Sequence, residues 1–102
     1  IDDCVEGIFR IMQSDVSKPL NLGMDIMISV DGLVDLISDI AGKSIGKQHD
    51  LPKPQGVRGR NSDNSLLRTL LEWEPTISLR QGLEITSSWI STQIANEPAN
   101  SN

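Results

Sequence analysis

A chain of 102 residues with a formal net charge of −5 can form one small domain or part of a larger one. It has no run of about 18 apolar residues, which excludes a membrane-spanning helix, and its acidity argues against a nucleic-acid-binding protein. One cysteine and one histidine are too few for a zinc site, and an unpaired cysteine does not indicate secretion.

The chain begins with a predicted helix and a short predicted strand. Residues 2–14 have helical spacing, and their stripe is predicted to be buried; it consists of Val5, Ile8, Phe9 and Met12. Cys4 lies in the same stretch and is predicted to be a small core residue. Pro19 cannot continue a helix, and residues 20–22 are predicted to form a strand that ends at Gly23.

Residues 29–51 predict a second helix and a second strand. Ser29 is a favoured N-cap, and Gly42 is a favoured residue for ending a helix. Residues 45–51 alternate in the manner of a strand. A strand, a helix and a strand in this order form a βαβ unit. The predicted fold class is therefore α+β and mostly helical, with about four helices and one small βαβ unit of short parallel strands.

The next segment concentrates positive charge in an acidic chain. Residues 51–68 hold four basic residues and one acidic residue, a local charge of +3, and Arg58 and Arg60 lie on either side of Gly59. Arginine suits phosphate because its planar fork donates two parallel hydrogen bonds. The segment is therefore interpreted either as an anion-binding loop or as a mobile surface loop whose arginines pair with nearby carboxylates.

Two helices and a tail complete the chain. The third helix is predicted to follow a cap at Ser62 or Asp63, and its free N–H groups would also favour an anion. The fourth begins at a capping box formed by Ser78 and Gln81. Residues 97–102 are predicted to be a disordered tail. The chain has no glycine-rich dinucleotide motif after a strand, no tyrosine and no nucleophile pattern, so no catalytic, cofactor-binding or metal residue is predicted.

Four blocks of the sequence resemble a known family. They are residues 1–7, 19–23, 56–64 and 71–75, the third reading Gly-Val-Arg-Gly-Arg-Asn-Ser-Asp-Asn. Together they resemble the C-terminal third of the nucleotide-sugar epimerases and dehydratases of the extended short-chain dehydrogenase/reductase family. The arginine block is more specific than the other three: it resembles the 3,5-epimerases of that family, which implies GDP-mannose as the substrate. The block at residues 71–75 departs from the family in having Glu72 where glycine is usual.

The resemblance implies that this chain and a Rossmann domain have different roles. Residues 1–96 would be the substrate-binding region of an NAD-dependent isomerase, and NAD and the catalytic residues would belong to the N-terminal Rossmann domain. Arg60 matches the arginine that binds the substrate's diphosphate, and Arg58 and Asn61 are further candidate substrate-binding residues. The chain alone is expected to be a catalytically inactive, cytoplasmic fragment and a possible homodimer. The alternatives are a stand-alone binding or self-associating module, or part of a related dehydratase or 4-epimerase.

Overall fold

The computed structural model describes residues 1–98, and this range contains four helices. They are α1 (Asp2–Gln13), α2 (Val30–Ala41), α3 (Ser65–Leu71) and α4 (Leu79–Asn96). The described chain divides into two compact units: unit 1 comprises Ile1–Ser29 and Gln48–Ile77, and unit 2 comprises Val30–Lys47 and residues 78–98. None of the described helices combines the length and apolar character that crossing a membrane requires. Residues 99–102 of the predicted tail lie outside the described residues.

The predicted strands are wrong, because residues 1–98 contain no strand and therefore no βαβ unit. A strand is stable only when a neighbouring strand accepts and donates its backbone hydrogen bonds. Residues 20–28 have one such link to another segment, from the N–H of Ser62 to the carbonyl of Met24 at 2.7 Å. Residues 45–51 are exposed throughout. The alternating pattern is present in both segments, but neither pairs with a second strand, since residues 1–98 contain none.

Helix α1 packs in unit 1 through a face that the apolar pattern does not predict. Its inward positions are Asp3, Gly7 and Ile11, which recur every four residues and are buried or half-buried. A Cβ on Gly7 would lie 2.7 Å from both methyl groups of Leu22 and 3.0 Å from the ring of Trp73, so only glycine permits this approach.

The apolar stripe of α1 lies on its exposed side. Val5, Ile8, Phe9 and Met12 are between 50% and 78% exposed, so the prediction that they form a buried face is wrong. Cys4 is also exposed, which contradicts its predicted place in the core. Helical periodicity shows that a helix has an apolar face, but the contacts through Gly7 decide which face the rest of unit 1 covers.

Helix α3 ends in a strained backbone conformation at Glu72. This residue has a φ of 51° in the left-handed region and is the one non-glycine residue of residues 1–98 with a positive φ. A side chain in this conformation costs roughly 1–2 kcal/mol, which is why glycine is favoured just beyond helix ends. The departure from the family's glycine at this position therefore costs stability.

Replacing Glu72 by glycine is expected to raise the free energy of unfolding by about 1 kcal/mol, because glycine relieves the left-handed strain. Urea unfolding followed by circular dichroism measures the change. The matched control is Glu97→Gly, since Glu97 also follows a helix but has a φ of −66°. That substitution is expected to lower stability by up to about 0.5 kcal/mol through added chain entropy. An equal effect of both substitutions would contradict the assignment of strain to Glu72.

Unit 2 pairs α2 with α4. Arg80, in the first turn of α4, contacts Asp39 of α2 at 2.7 Å and Glu84 at 2.9 Å, and hydrogen bonds from the guanidinium to these carboxylates raise the pKa of Arg80. The capping box at the start of α4 is confirmed: Ser78 Oγ accepts from the N–H of Gln81, and the Gln81 side chain accepts from the N–H of Ser78. Local sequence therefore sets the start of this helix.

Candidate functional site

The candidate site is a groove in unit 1 with a volume of 480 Å³. Small-molecule sites commonly have volumes of about 300–1,000 Å³, so the volume of this groove is in the range of small-molecule sites. Two segments that are distant in sequence line the groove: residues 20–24 with Ile26, and residues 60–62. We call it the Arg60 groove, after its only cationic lining residue among the described residues.

Three hydrogen bonds hold the two lining segments together. Three consecutive carbonyl oxygens, those of residues 23–25, accept one hydrogen bond each from residues 61–64. The bonds are Asn64 Nδ2 to Gly23 (2.8 Å), Ser62 N to Met24 (2.7 Å) and Asn61 Nδ2 to Asp25 (2.9 Å). Because consecutive carbonyls are anchored, the relative position of the two segments is defined without a strand pair.

Two glycines allow the segments to approach closely. A Cβ on Gly23 would lie 3.0 Å from the Cβ of Ser62, and a Cβ on Gly59 would lie 2.5 Å from Sδ of Met27. Both distances are shorter than ordinary van der Waals contact, so a larger residue at either position would displace its neighbour. The glycine before Arg60 therefore serves the packing of the loop against Met27.

Arg60 is exposed, lines the groove and forms no hydrogen bond or ion pair within residues 1–98. The arginines outside this loop differ in this respect. Each of them contacts a carboxylate: Arg10 contacts Glu6, Arg68 contacts Glu74, and Arg80 contacts Asp39 and Glu84. Arg58 is exposed and likewise forms no ion pair in the described chain. The carboxylate pairing required by the surface-loop interpretation is therefore not formed among residues 1–98.

The other two candidate binding residues occupy different positions. Arg58 does not line the groove, whereas Asn61 does. The side-chain amide of Asn61 donates to the carbonyl of Asp25, so it braces the wall of the groove. The structure thus brings Arg60 and Asn61 to one groove and leaves Arg58 outside it. The roles of Arg58 and Asn61 in binding stay predictions.

The start of α3 does not offer the anion site that its sequence suggests. The helix begins at Ser65, and its N-cap is Asn64, so neither Ser62 nor Asp63 is the cap. The carboxylate of Asp63 accepts from the hydroxyl of Ser65 and from its backbone N–H at 3.0 Å. These two hydrogen bonds, with a contribution from Arg68, lower the pKa of Asp63. An ionised carboxylate therefore already occupies this position.

No family model matches the chain, but the chain is similar to several known proteins. GDP-mannose 3,5-epimerase of Arabidopsis thaliana is 43% identical over 97% of this chain. GDP-mannose 3,5-epimerase 1 of Oryza sativa subsp. indica is 43% identical over 95% of it. The chain is similar to GDP-mannose 3,5-epimerase. The resemblance predicted from the four sequence blocks is thereby confirmed.

The chain spans about a quarter of the length of these epimerases, 26% of the Arabidopsis protein and 25% of the rice protein. UDP-glucuronic acid decarboxylase 1 of Arabidopsis thaliana is a more distant relative, 30% identical over 95% of this chain and 22% of its own length. The larger identity therefore favours the epimerases over this related group. This difference in identity agrees with the resemblance of residues 56–64, which contain Arg60, to the 3,5-epimerases.

The described residues do not fit the NAD that the epimerase resemblance implies. A dinucleotide site of the Rossmann type requires a strand, a glycine-rich turn and a helix, and residues 1–98 contain no strand. In the same part of the chain, no group of three or more histidine, cysteine, aspartate or glutamate side chains is arranged to hold a metal ion.

Proposed function

We propose that this chain is the nucleotide-sugar-binding part of an NAD-dependent epimerase that acts on GDP-mannose, with Arg60 binding the diphosphate. The observation that supports it most directly is the exposed guanidinium of Arg60, which lines a groove and has no carboxylate partner in the described chain. The 43% identity to GDP-mannose 3,5-epimerase supports the choice of substrate.

The chemistry of the groove is consistent with a nucleotide sugar. A guanidinium donates bidentate, charge-assisted hydrogen bonds, which a diphosphate accepts at well-separated oxygens. The other lining segment, residues 20–24 with Ile26, supplies apolar surface for the uncharged part of the ligand. Its apolar members are Leu20, Leu22, Met24 and Ile26. A groove with apolar lining and a few polar groups is the usual composition of a small-molecule site.

The proposal assigns catalysis to a different part of a longer protein. The NAD and the catalytic residues would belong to a Rossmann domain that packs beside this region, and the assembled protein would be a cytoplasmic isomerase. The chain alone is expected to bind the nucleotide sugar without converting it. Measurable turnover of GDP-mannose by the 102-residue chain with added NAD would contradict this division.

Nuclear magnetic resonance titration of the 102-residue chain with GDP-mannose tests the binding proposal, because it detects even millimolar affinity. We expect amide resonances to shift in residues 20–24 and 60–62, and not in α4. UDP-glucuronic acid is the comparison ligand, since the more distant relatives are named for it. We expect it to bind more weakly. Absence of shifts in the groove with GDP-mannose would contradict the proposed function.

One observation favours a second candidate, a self-associating module without catalysis. The apolar side of α1 is exposed, with Phe9 53% and Met12 78% accessible, and a second copy could cover it. Sedimentation velocity separates the candidates, because a monomer over a wide concentration range would exclude self-association.

A further inference from the structure

The polar residues that line the Arg60 groove divide into those already hydrogen-bonded and those that are not. The side chain of Asn61 donates to the carbonyl of Asp25, and the hydroxyl of Ser62 donates to Oδ1 of Asn64 at 2.7 Å. Neither side chain is free to turn to a ligand without breaking a bond that braces the groove. Two polar side chains of the lining are left, those of Asn21 and Arg60.

Asn21 is exposed, and its carboxamide forms no hydrogen bond within residues 1–98. It lies between Leu20 and Leu22, which are both half-buried. Leu22 packs against Gly7 of α1, and the carbonyls of residues 23–25 accept hydrogen bonds from residues 61–64. The backbone around Asn21 is therefore held on the buried side, while its own side chain is on the accessible side.

A carboxamide has a recognition chemistry that a guanidinium lacks, because it offers two N–H donors and an acceptor oxygen on one group. It can therefore bind hydroxyl groups or an amide edge, both of which donate and accept. Phosphate oxygens, in contrast, only accept, and they are matched by the five donors of an arginine. The groove thus has one group suited to the charged part of a ligand and one suited to a neutral polar part.

We propose that Asn21 is a specificity-determining residue of the Arg60 groove. Its carboxamide hydrogen-bonds hydroxyl or amide groups of a nucleoside diphosphate sugar whose phosphates Arg60 holds. The proposal rests on the proposed function, and it adds a residue that distinguishes a complete nucleotide sugar from a bare diphosphate. Asn21 belongs to the 19–23 block of the sequence, in which no residue was predicted to bind a ligand.

Isothermal or magnetic-resonance titrations with two probes test this role. The probes are inorganic pyrophosphate, which carries only the anionic part, and GDP-mannose, which carries both parts. Asn21→Ala is expected to raise the Kd of GDP-mannose about fivefold to tenfold, the effect of losing one or two neutral hydrogen bonds. The Kd of pyrophosphate is expected to stay within about twofold of the wild-type value. Arg60→Ala is expected to weaken the binding of both probes.

The matched control is Asn96→Ala, because Asn96 is also exposed, its side chain forms no hydrogen bond in the described chain, and it lies in unit 2 at the end of α4. It should leave both affinities unchanged. An unchanged Kd of GDP-mannose in Asn21→Ala, with weakened binding in Arg60→Ala, would overturn the role of Asn21 and leave the proposed function standing. Equal weakening of both probes by Asn21→Ala would also overturn it, since that pattern indicates a distorted groove. Absence of binding by the wild-type chain would contradict both proposals.

Discussion

Replacing Arg60 by alanine is expected to raise the Kd of GDP-mannose about tenfold to a hundredfold, because a bidentate contact to a charged group contributes roughly 1.5–3 kcal/mol. The loss should be this large because Arg60 is the one cation that lines the groove in the described chain. Arg60→Lys is expected to recover only part of the affinity, since an ammonium group lacks the planar fork. Calorimetric titration of each variant measures the change.

The control for the Arg60 substitution must remove the same charge without touching the groove. Lys53→Ala meets this condition, because Lys53 is exposed in the same loop, forms no ion pair in residues 1–98 and does not line the groove. It should change the Kd by no more than about threefold, the size of a screened surface effect. Equal losses in both variants would indicate general attraction of an anion to the loop. A normal affinity in Arg60→Ala would remove the groove from the binding site.

Replacing Asp3 by alanine is expected to lower the free energy of unfolding by about 2 kcal/mol. Its carboxylate accepts the backbone N–H of Thr76 at 3.0 Å and of Ile77 at 2.7 Å, joining the first turn of α1 to the segment after α3. Hydrogen bonds to an ionised group contribute about 1.5–3 kcal/mol each when they are shielded, and less where water can replace them, as it can at Thr76. The loss matters because small domains have a total stability of only about 5–15 kcal/mol.

Asp2 provides the matched control for this experiment. It lies in the same first turn of α1 and is exposed, and its side chain forms no hydrogen bond in the described chain. Asp2→Ala removes the same charge near the helix N-terminus and is expected to lower stability by no more than about 0.5–1 kcal/mol. Asp3→Asn, which keeps one acceptor oxygen, should fall between the two. Urea unfolding compares them, and equal losses for Asp2→Ala and Asp3→Ala would contradict a specific clamp at Thr76 and Ile77.

The sequence by itself determined the features that depend on neighbouring residues along the chain. Helix α2 follows Ser29 and ends before Gly42, whose φ is +64°, and α4 starts at the Ser78 capping box, because caps and helical periodicity act over a few residues. Glu72 was recognised as an unusual residue for its position by comparison with the family's glycine, and its φ of 51° explains why. The arginine block also indicated the epimerase resemblance.

Only the tertiary structure decided the features that require distant segments to meet. Strand-like alternation at residues 20–22 and 45–51 gave no strand, because no second strand pairs with either segment in the described residues. The exposed side of α1 follows from the contact of Gly7 with Leu22 and Trp73, which periodicity cannot reveal. Arg58 and Arg60 look equivalent in sequence, yet only Arg60 lines the groove. The reason is that three hydrogen bonds hold residues 61–64 against the carbonyls of residues 23–25. Arg60 directly precedes these anchored residues and therefore lines the same groove as Asn21, whereas Arg58 lies farther along the chain.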